Sequence, residues 1–287
     1  MNPAVLLAVT AAAGFGIALV LTQAGLRHLA PLQGARVSVL TTTSLLWLLS
    51  PWLLDLGAWR LPAVAVFAAV GCLFPAAVTV LTFAANRRLG PTLAGTLGGT
   101  APLFALAAAA LLLGERISIR VLLGTVAVLL GVAALSTARQ EGSRRWSRRA
   151  LLLPLSAAAI RGVAQPLTKY GLGLWPQPFA AGLIGYTVSS LALLAAVASF
   201  GPRQEVPRSL RGIAWFALVG VCNGAAVLTL YTALGRGRVG VVAPIVATYP
   251  LFTLAVSAAL PGHERLTARA LAGVFATVGG VVMIVLA

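Results

Sequence analysis

Two stretches of the sequence, 67–137 and 216–286, repeat the same pattern of hydrophobic segments. Residues 67–71 read Phe-Ala-Ala-Val-Gly, and residues 216–220 read Phe-Ala-Leu-Val-Gly. Further matches follow at nearly the same offset: Ala-Ala-Val at 76–78 and 225–227, Pro-Leu-Phe at 102–104 and 250–252, and Glu-Arg-Ile at 115–117 against Glu-Arg-Leu at 264–266. Such regular spacing over a long stretch is the signature of an internal repeat. The chain is therefore expected to consist of two similar halves.

The composition is that of a membrane protein. Hydrophobic residues make up 60% of the 287 residues and charged residues only 9%, and the mean hydropathy is +0.98. A soluble domain carries about 25% charged residues, so this chain is expected to be solvated by a lipid bilayer. The net charge of +16 could suggest nucleic acid. Its arginines, however, lie in short connections between apolar segments, where they set membrane topology, and no nucleic-acid binding is expected.

Ten apolar segments approach the roughly 20 residues that a helix needs to cross a bilayer. In chain order these spans are Ala4–Thr22, Ala35–Leu54, Leu61–Thr82, Pro91–Leu113, Val121–Thr137, Ala150–Tyr170, Pro178–Phe200, Arg211–Thr232, Val241–Leu260 and Ala268–Ala287. The segment 139–149 holds five arginines against one glutamate and separates five spans from five. The sequence predicts an all-α polytopic membrane protein with a five-helix repeat at 1–138, a basic linker loop at 139–149 and a second five-helix repeat at 150–287.

An odd number of spans in each half places the second half in the membrane in the opposite direction. Inverted repeats of this kind are typical of secondary transporters, whose substrate site lies between the halves near the bilayer midplane. Connections on the linker side carry 14 Lys and Arg residues, and those on the side of the termini carry 6. This asymmetry predicts a cytoplasmic linker with both termini outside.

Each half has a proline in its fourth span, a Gly-Glu-Arg-type turn after it and a glycine-spaced fifth span. The residues concerned are Pro102, 114–116, Gly124 and Gly131 in the first half, and Pro250, 262–265, Gly273 and Gly280 in the second. This pattern resembles the EamA family of the drug/metabolite transporter superfamily over nearly the whole chain, most of all the YddG-type amino-acid exporters. The resemblance implies ten helices, transport activity and cytoplasmic termini. The cytoplasmic termini disagree with the count of Lys and Arg residues, which predicts termini outside. Phe15-Gly16 stands where the family usually has Trp-Gly.

The polar residues of span 6 are the main candidates for a substrate site. Arg161, Gln165 and Lys169 are spaced four apart, which puts them on one helical face. A charged side chain deep in a bilayer costs at least ~2.5–3.5 kcal/mol, so it normally faces a cavity or a partner. The alternatives are that Arg161 reaches the interface or carbonyl groups of a neighbouring helix, and that Lys169 marks the helix end. The equivalent residues of span 1 are Phe15, Leu19 and Gln23, so the first repeat is mostly apolar where the second is basic.

Further candidates lie in other spans, although threonines are also ordinary contacts between packed membrane helices. The full predicted substrate-binding set is Arg161, Gln165, Lys169, Asn223, Tyr231, Phe15, Thr82, Thr100 and Tyr249. No nucleophile–base pair, phosphate loop or metal-ligand cluster is apparent, and Cys72 and Cys222 have neither metal nor redox spacing. The sequence thus predicts no catalytic residue, no cofactor, no metal and no enzymatic activity.

The acidic residues restrict the transport mechanism. All five lie outside the middle of the spans, whereas a proton-coupled pump for cations normally needs a membrane-buried carboxylate. Glu115 and Glu264 each precede a helix, and a structural role at a helix N-terminus is expected. The sequence favours a monomeric, multi-pass inner-membrane exporter of small metabolites, above all amino acids, including aromatic or hydrophobic ones, working by facilitated transport or exchange. The alternatives are a proton-coupled multidrug or quaternary-ammonium efflux pump and a non-transporting membrane scaffold or sensor.

Overall fold

The computed structural model describes residues 2–57, 59–89, 97–137, 148–200, 209–259 and 268–287. All regular elements in these ranges are helical. The first half contains α1 (Pro3–Gly25), α2 (Pro31–Leu53), α3 (Leu61–Leu73), α4 (Ala76–Leu89), α5 (Ala101–Leu113) and α6 (Ile119–Thr137). The second half begins with a short 3-10 turn, Arg148–Leu151, followed by α7 (Leu152–Leu174), α8 (Pro178–Phe200), α9 (Leu210–Arg236), α10 (Val239–Val246), α11 (Tyr249–Ala258) and α12 (Ala268–Val285).

Several of these helices have the length and composition of membrane spans. Within the described ranges six segments are long and apolar enough to cross a bilayer: Pro3–Gly25, Leu61–Ala85, Arg149–Leu174, Pro178–Ala196, Leu210–Arg236 and Val239–Ala258. Shorter apolar helices cover Ala101–Leu113, Ile119–Ala134 and Leu271–Val285. The chain is therefore a multi-pass membrane protein, and the number of ten crossings stays a prediction.

Two predicted spans are divided instead of continuous. In the third span α3 ends at Leu73 and α4 begins at Ala76, with Phe74 in an extended conformation between them. The proline at position 75 explains the break, because proline lacks an N–H and disfavours a helical conformation of the residue before it. In the ninth span the division between α10 and α11 falls at Thr248, two residues before Pro250. Both regions still form single apolar segments of membrane-spanning length, Leu61–Ala85 and Val239–Ala258.

The first helix of each half packs against helices of the other half. Helix α1 packs against α9 and α11, and its counterpart α7 packs against α3, α4 and α5. One pair of equivalent glycines shows how closely the contacts correspond. A Cβ atom added to Gly16 would lie 2.6 Å from Cβ of Phe252, and one added to Gly162 would lie 2.5 Å from Cβ of Phe104. The same close approach of two helices thus occurs twice. The glycine belongs to the first half in one contact and to the second half in the other.

Helices α6 and α12 form a pair that packs behind the others. A Cβ on Gly124 would lie 2.7 Å from the carbonyl oxygen of Gly280, and a Cβ on Gly280 would lie 2.6 Å from that of Gly124. A small apolar core of Val128, Val132 and Ile284 completes the contact. Close approach at small residues is the usual way in which membrane helices associate. This pair joins the two halves away from their centre.

Candidate functional site

A cavity with a volume of about 150 Å³ lies between the two halves. Since about 10–15 Å³ on this scale holds one water molecule, the cavity has room for a small metabolite. It is lined from α1 by Phe15, Ala18, Leu19 and Thr22; from α4 and the break before it by Phe74, Pro75, Val78, Thr79, Thr82 and Phe83; and from the start of α5 by Gly98, Gly99, Ala101 and Pro102. The second half contributes Arg161, Ala164, Gln165, Thr168, Tyr186, Asn223, Val227, Leu230, Tyr231, Ala243, Val246, Ala247 and Tyr249. Helices α6 and α12 contribute none of these residues.

The lining is symmetric in position and asymmetric in chemistry. Four polar residues of the second half have an equivalent position in the first half that also faces the cavity. The pairs are Arg161 with Phe15, Gln165 with Leu19, Asn223 with Phe74 and Tyr231 with Thr82. In three of these pairs the residue of the first half is entirely apolar. The cavity therefore has hydrogen-bonding groups contributed mainly by one repeat and an aromatic, apolar surface contributed mainly by the other.

Arg161 brings a positive charge into this cavity. It lies near the middle of α7, is partly buried, and makes no hydrogen bond or salt bridge with any residue that the structure describes. No carboxylate occurs among the lining residues. A guanidinium group in this position attracts an anion, because a charge removed from water is stabilised only by an opposite charge or by hydrogen bonds. An anionic group of a substrate could supply both.

Gln165 lies one turn further along the same face of α7. Its side chain is only 6% exposed, and its Oε1 atom has no hydrogen-bond partner in the described part of the protein. An unsatisfied buried acceptor costs about 1–3 kcal/mol. Such groups in native proteins require an explanation, of which an absent ligand or water is the most direct. The position in the cavity wall makes a bound molecule the natural partner of this oxygen.

Two buried hydroxyl groups near Gln165 were not predicted from the sequence. Thr168 is 1% exposed and Tyr186, on α8, is 3% exposed, and both line the cavity. Tyr231 lines the same cavity and is 4% exposed. Two signals could have identified these residues. Thr168 follows Gln165 by three positions on one helix face, and Tyr186 carries the only phenol group of its span.

Two predicted substrate-binding residues lie outside the cavity lining. Lys169 donates hydrogen bonds from Nζ to the carbonyl oxygens of Leu234, at 3.1 Å, and Gly237, at 2.5 Å. It therefore stabilises the C-terminal end of α9, where carbonyl groups lack helical partners. The hydroxyl of Thr100 donates to the carbonyl oxygen of Leu97 at 2.7 Å, as Thr248 does to Ile245 at the equivalent break. Thr100 directly precedes α5, and Thr248 directly precedes α11.

The seven other predicted residues come together in the cavity. They are Arg161, Gln165, Asn223, Tyr231, Phe15, Thr82 and Tyr249. Contact of any of the nine residues with a substrate stays a prediction, because a position in a cavity wall does not identify the molecule that occupies it. The arrangement nevertheless unites residues from α1, α4, α7, α9 and α11 that are widely separated in the sequence.

Glu115 holds the two halves together at the end of the cavity beyond Thr168 and Tyr231. Its carboxylate accepts hydrogen bonds from the backbone N–H groups of Val239, at 3.0 Å, and Gly240, at 3.1 Å. These groups begin α10, so Glu115 occupies a helix N-terminus, where a negative charge is stabilising. The structural role expected from the sequence is present, but it serves a helix of the opposite half. Glu264, its repeat equivalent, lies outside the described residues.

The two ends of the cavity differ in exposure. Next to the Glu115 contact, Gln165, Thr168, Tyr186 and Tyr231 are all buried. Towards the other end, which lies on the linker side, Leu19, Thr79 and Thr82 are partly exposed. Among the described residues, polar contacts of Glu115 and Lys169 thus lie at the end of the cavity on the side of the chain termini.

Comparisons with known proteins agree with this architecture. Residues 2–137 and 148–286 match the EamA-like transporter family. No curated protein matches the sequence. One crystal structure with a TM-score of 0.78 and 20% sequence identity covers 99% of this chain and 96% of its own, and it shows the same fold. The family match across both repeats points to a non-enzymatic membrane transporter of the drug/metabolite transporter superfamily. The chain belongs to the EamA-like transporter family.

Proposed function

We propose that the protein is a secondary transporter that exports small metabolites bearing a carboxylate and an apolar body, above all amino acids. The observation that carries this proposal is Arg161, a positive charge without a protein counterion in the described residues, in a cavity that also contains Phe15, Phe74 and Phe83. The guanidinium group would bind the carboxylate, and the aromatic rings would contact an aromatic or aliphatic side chain. The resemblance to YddG-type amino-acid exporters supports the same substrate class.

Transport would proceed by alternating access through facilitated diffusion or exchange. On the terminus side, Glu115 and Lys169 make polar contacts with backbone groups among the described residues, and we take this side as the closed one. In the opposite state these contacts would separate while the linker side closes. Proton coupling of the kind used by cation pumps is disfavoured, because no carboxylate lines the cavity.

The experiment that tests this proposal is flux into liposomes that contain only the purified protein. A panel of labelled amino acids is measured with and without a proton gradient, and Arg161→Met serves as the variant. Saturable flux without a gradient, lost in the variant, is the expected result. Flux of cationic dyes driven only by a gradient would instead support a multidrug pump. The absence of any saturable flux would support a scaffold or sensor role.

We further propose that the repeats occupy 1–138 and 150–287, joined by the basic linker 139–149, in a monomer in the cell inner membrane. The Lys and Arg count of 14 against 6 supports a cytoplasmic linker, and the resemblance to family members supports cytoplasmic termini.

One test distinguishes these orientations. Cys72 and Cys222 are replaced by Ala, and a single cysteine is introduced at Ser143. Labelling of intact cells by a membrane-impermeant thiol reagent would place the linker outside, and labelling only after lysis would place it inside.

A further inference from the structure

The unpartnered oxygen of Gln165 points to a second recognition element beside Arg161. We propose that Gln165 Oε1 accepts a hydrogen bond from the ammonium group of the substrate and so selects amino acids that carry an N–H over fully N-methylated ones. This inference rests on the proposed function and adds to it a specificity-determining residue. It concerns which zwitterions are accepted, whereas the proposed function concerns whether amino acids are transported at all.

The positions of Arg161 and Gln165 suit the two charged groups of an amino acid. Residues four apart on a helix are separated by about 6 Å along the axis and lie on the same face. Both side chains line the same cavity. The carboxylate and ammonium groups of an α-amino acid are both bonded to its Cα and point in different directions, so Arg161 and Gln165 can hold one group each. The repeat-equivalent pair, Phe15 and Leu19, offers neither function.

The ammonium group needs a neutral acceptor in this cavity. No carboxylate is available among the lining residues, and Arg161 repels a second positive charge. The amide oxygen of Gln165 is buried, with the side chain 6% exposed, and is not used by any described residue. It is therefore the acceptor that a substrate N–H could occupy without displacing a protein hydrogen bond.

The same geometry predicts rejection of quaternary ammonium groups. Before substrate enters, a water molecule can satisfy Gln165 Oε1, as water does at most buried polar groups that lack a protein partner. An N–H of the substrate reproduces this hydrogen bond when it replaces the water, whereas an N-methyl group does not. Displacing water without replacing its hydrogen bond lowers affinity. A trimethylated amino acid would leave the acceptor unpaired.

The test uses the amino acid with the highest flux in the panel and its N-methyl, N,N-dimethyl and N,N,N-trimethyl derivatives. Each competes for uptake into liposomes containing the wild-type protein. The zwitterion retains an N–H up to the dimethyl derivative and loses it only in the last member. The expected result is an abrupt rise of the inhibition constant, about tenfold or more, at the step from dimethyl to trimethyl. A gradual rise along the series would indicate a size effect alone and would overturn the inference.

The variant Gln165→Met removes the acceptor with little change in length, and Leu19→Met introduces the same residue at the repeat-equivalent position. In Gln165→Met the abrupt step should disappear. The parent amino acid should then bind the variant about as weakly as the trimethyl derivative binds the wild-type protein. In Leu19→Met the step should remain. Thermal unfolding of both variants in detergent monitors folding. A step that persists in Gln165→Met contradicts the assignment, and a wild-type protein that transports no amino acid overturns both this inference and the proposed function.

Discussion

The two halves of the molecule use the same packing for different chemistry. Gly16 and Gly162 make matching close contacts with Phe252 and Phe104, so the scaffold is preserved in both repeats. On the cavity surface, however, the second half has Arg161 where the first has Phe15. Helix packing and the chemistry of the cavity wall are thus carried by neighbouring residues on different faces of the same helix. A symmetric scaffold can thus bind a molecule in one orientation.

The largest loss of stability is expected from substitutions at the glycine contacts that both halves share. Valine at either Gly16 or Gly162 would force its Cβ to within about 2.6 Å of backbone and Cβ atoms of α11 or α5. Overpacking of this kind typically costs about 1–3 kcal/mol and occasionally more, and here the obstacle includes backbone. Both variants should lose most of their folded yield to a similar extent, as measured by size-exclusion chromatography in detergent. Gly173→Ala, with open space around the site, is the matched control and should behave as wild type.

The next largest effect is expected from the residue that distinguishes the halves. Arg161→Met removes charge-assisted hydrogen bonds to the substrate, worth about 1.5–3 kcal/mol, which corresponds to about 10- to 150-fold in apparent affinity. Phe15→Met at the equivalent position exchanges one apolar side chain for another and should change affinity by at most about fivefold. Kinetics of counterflow in liposomes provide the measurement. Equal losses in the two variants would mean that the charge does not bind the substrate.

A smaller effect, on stability and not on substrate affinity, is expected at Lys169, one turn beyond the cavity. Lys169→Met leaves the carbonyl oxygens of Leu234 and Gly237 without their partner and should destabilise the protein by about 1–3 kcal/mol, seen as a lower Tm. The KM of the transported substrate should stay unchanged. Gln23→Met, at the exposed equivalent position, should affect neither quantity. A raised KM with an unchanged Tm would return Lys169 to the substrate site.

The smallest loss of stability is expected from a change in the hydrogen bonds between Glu115 and the start of α10. Glu115→Gln keeps one acceptor for α10 but directs an NH₂ group at the other backbone N–H, and it removes the favourable charge. The loss should be about 1 kcal/mol, measured as a modest decrease of Tm. Glu264→Gln is the companion variant. Similar decreases in both would show that the two turns have equivalent roles, and no decrease for Glu115→Gln would show that the cap contributes little to stability.

Much of this arrangement could be predicted from the sequence because it has a regular spacing. The repeat shows as matching segments, and the polar face of α7 shows as Arg161 and Gln165 four positions apart. The break at Pro75 lies inside a stretch of high hydropathy, so hydropathy alone does not reveal it, although proline marks such positions. Tyr186 was missed because the hydroxyl-bearing residues of its span were read as ordinary contacts between packed helices. Side-chain partners such as Leu234 for Lys169 depend on how distant helices meet, which local spacing does not reveal.

The cap that Glu115 places on α10 has a consequence for biosynthesis. Val239 follows Glu115 by 124 residues, and ribosomes add about 5–20 residues per second, so the carboxylate waits roughly 6–25 s for the helix that it caps. During this interval the nascent first half already contains Glu115 but none of the backbone groups that bind it. The end of α5 therefore reaches its final hydrogen bonding only when the ninth span leaves the ribosome.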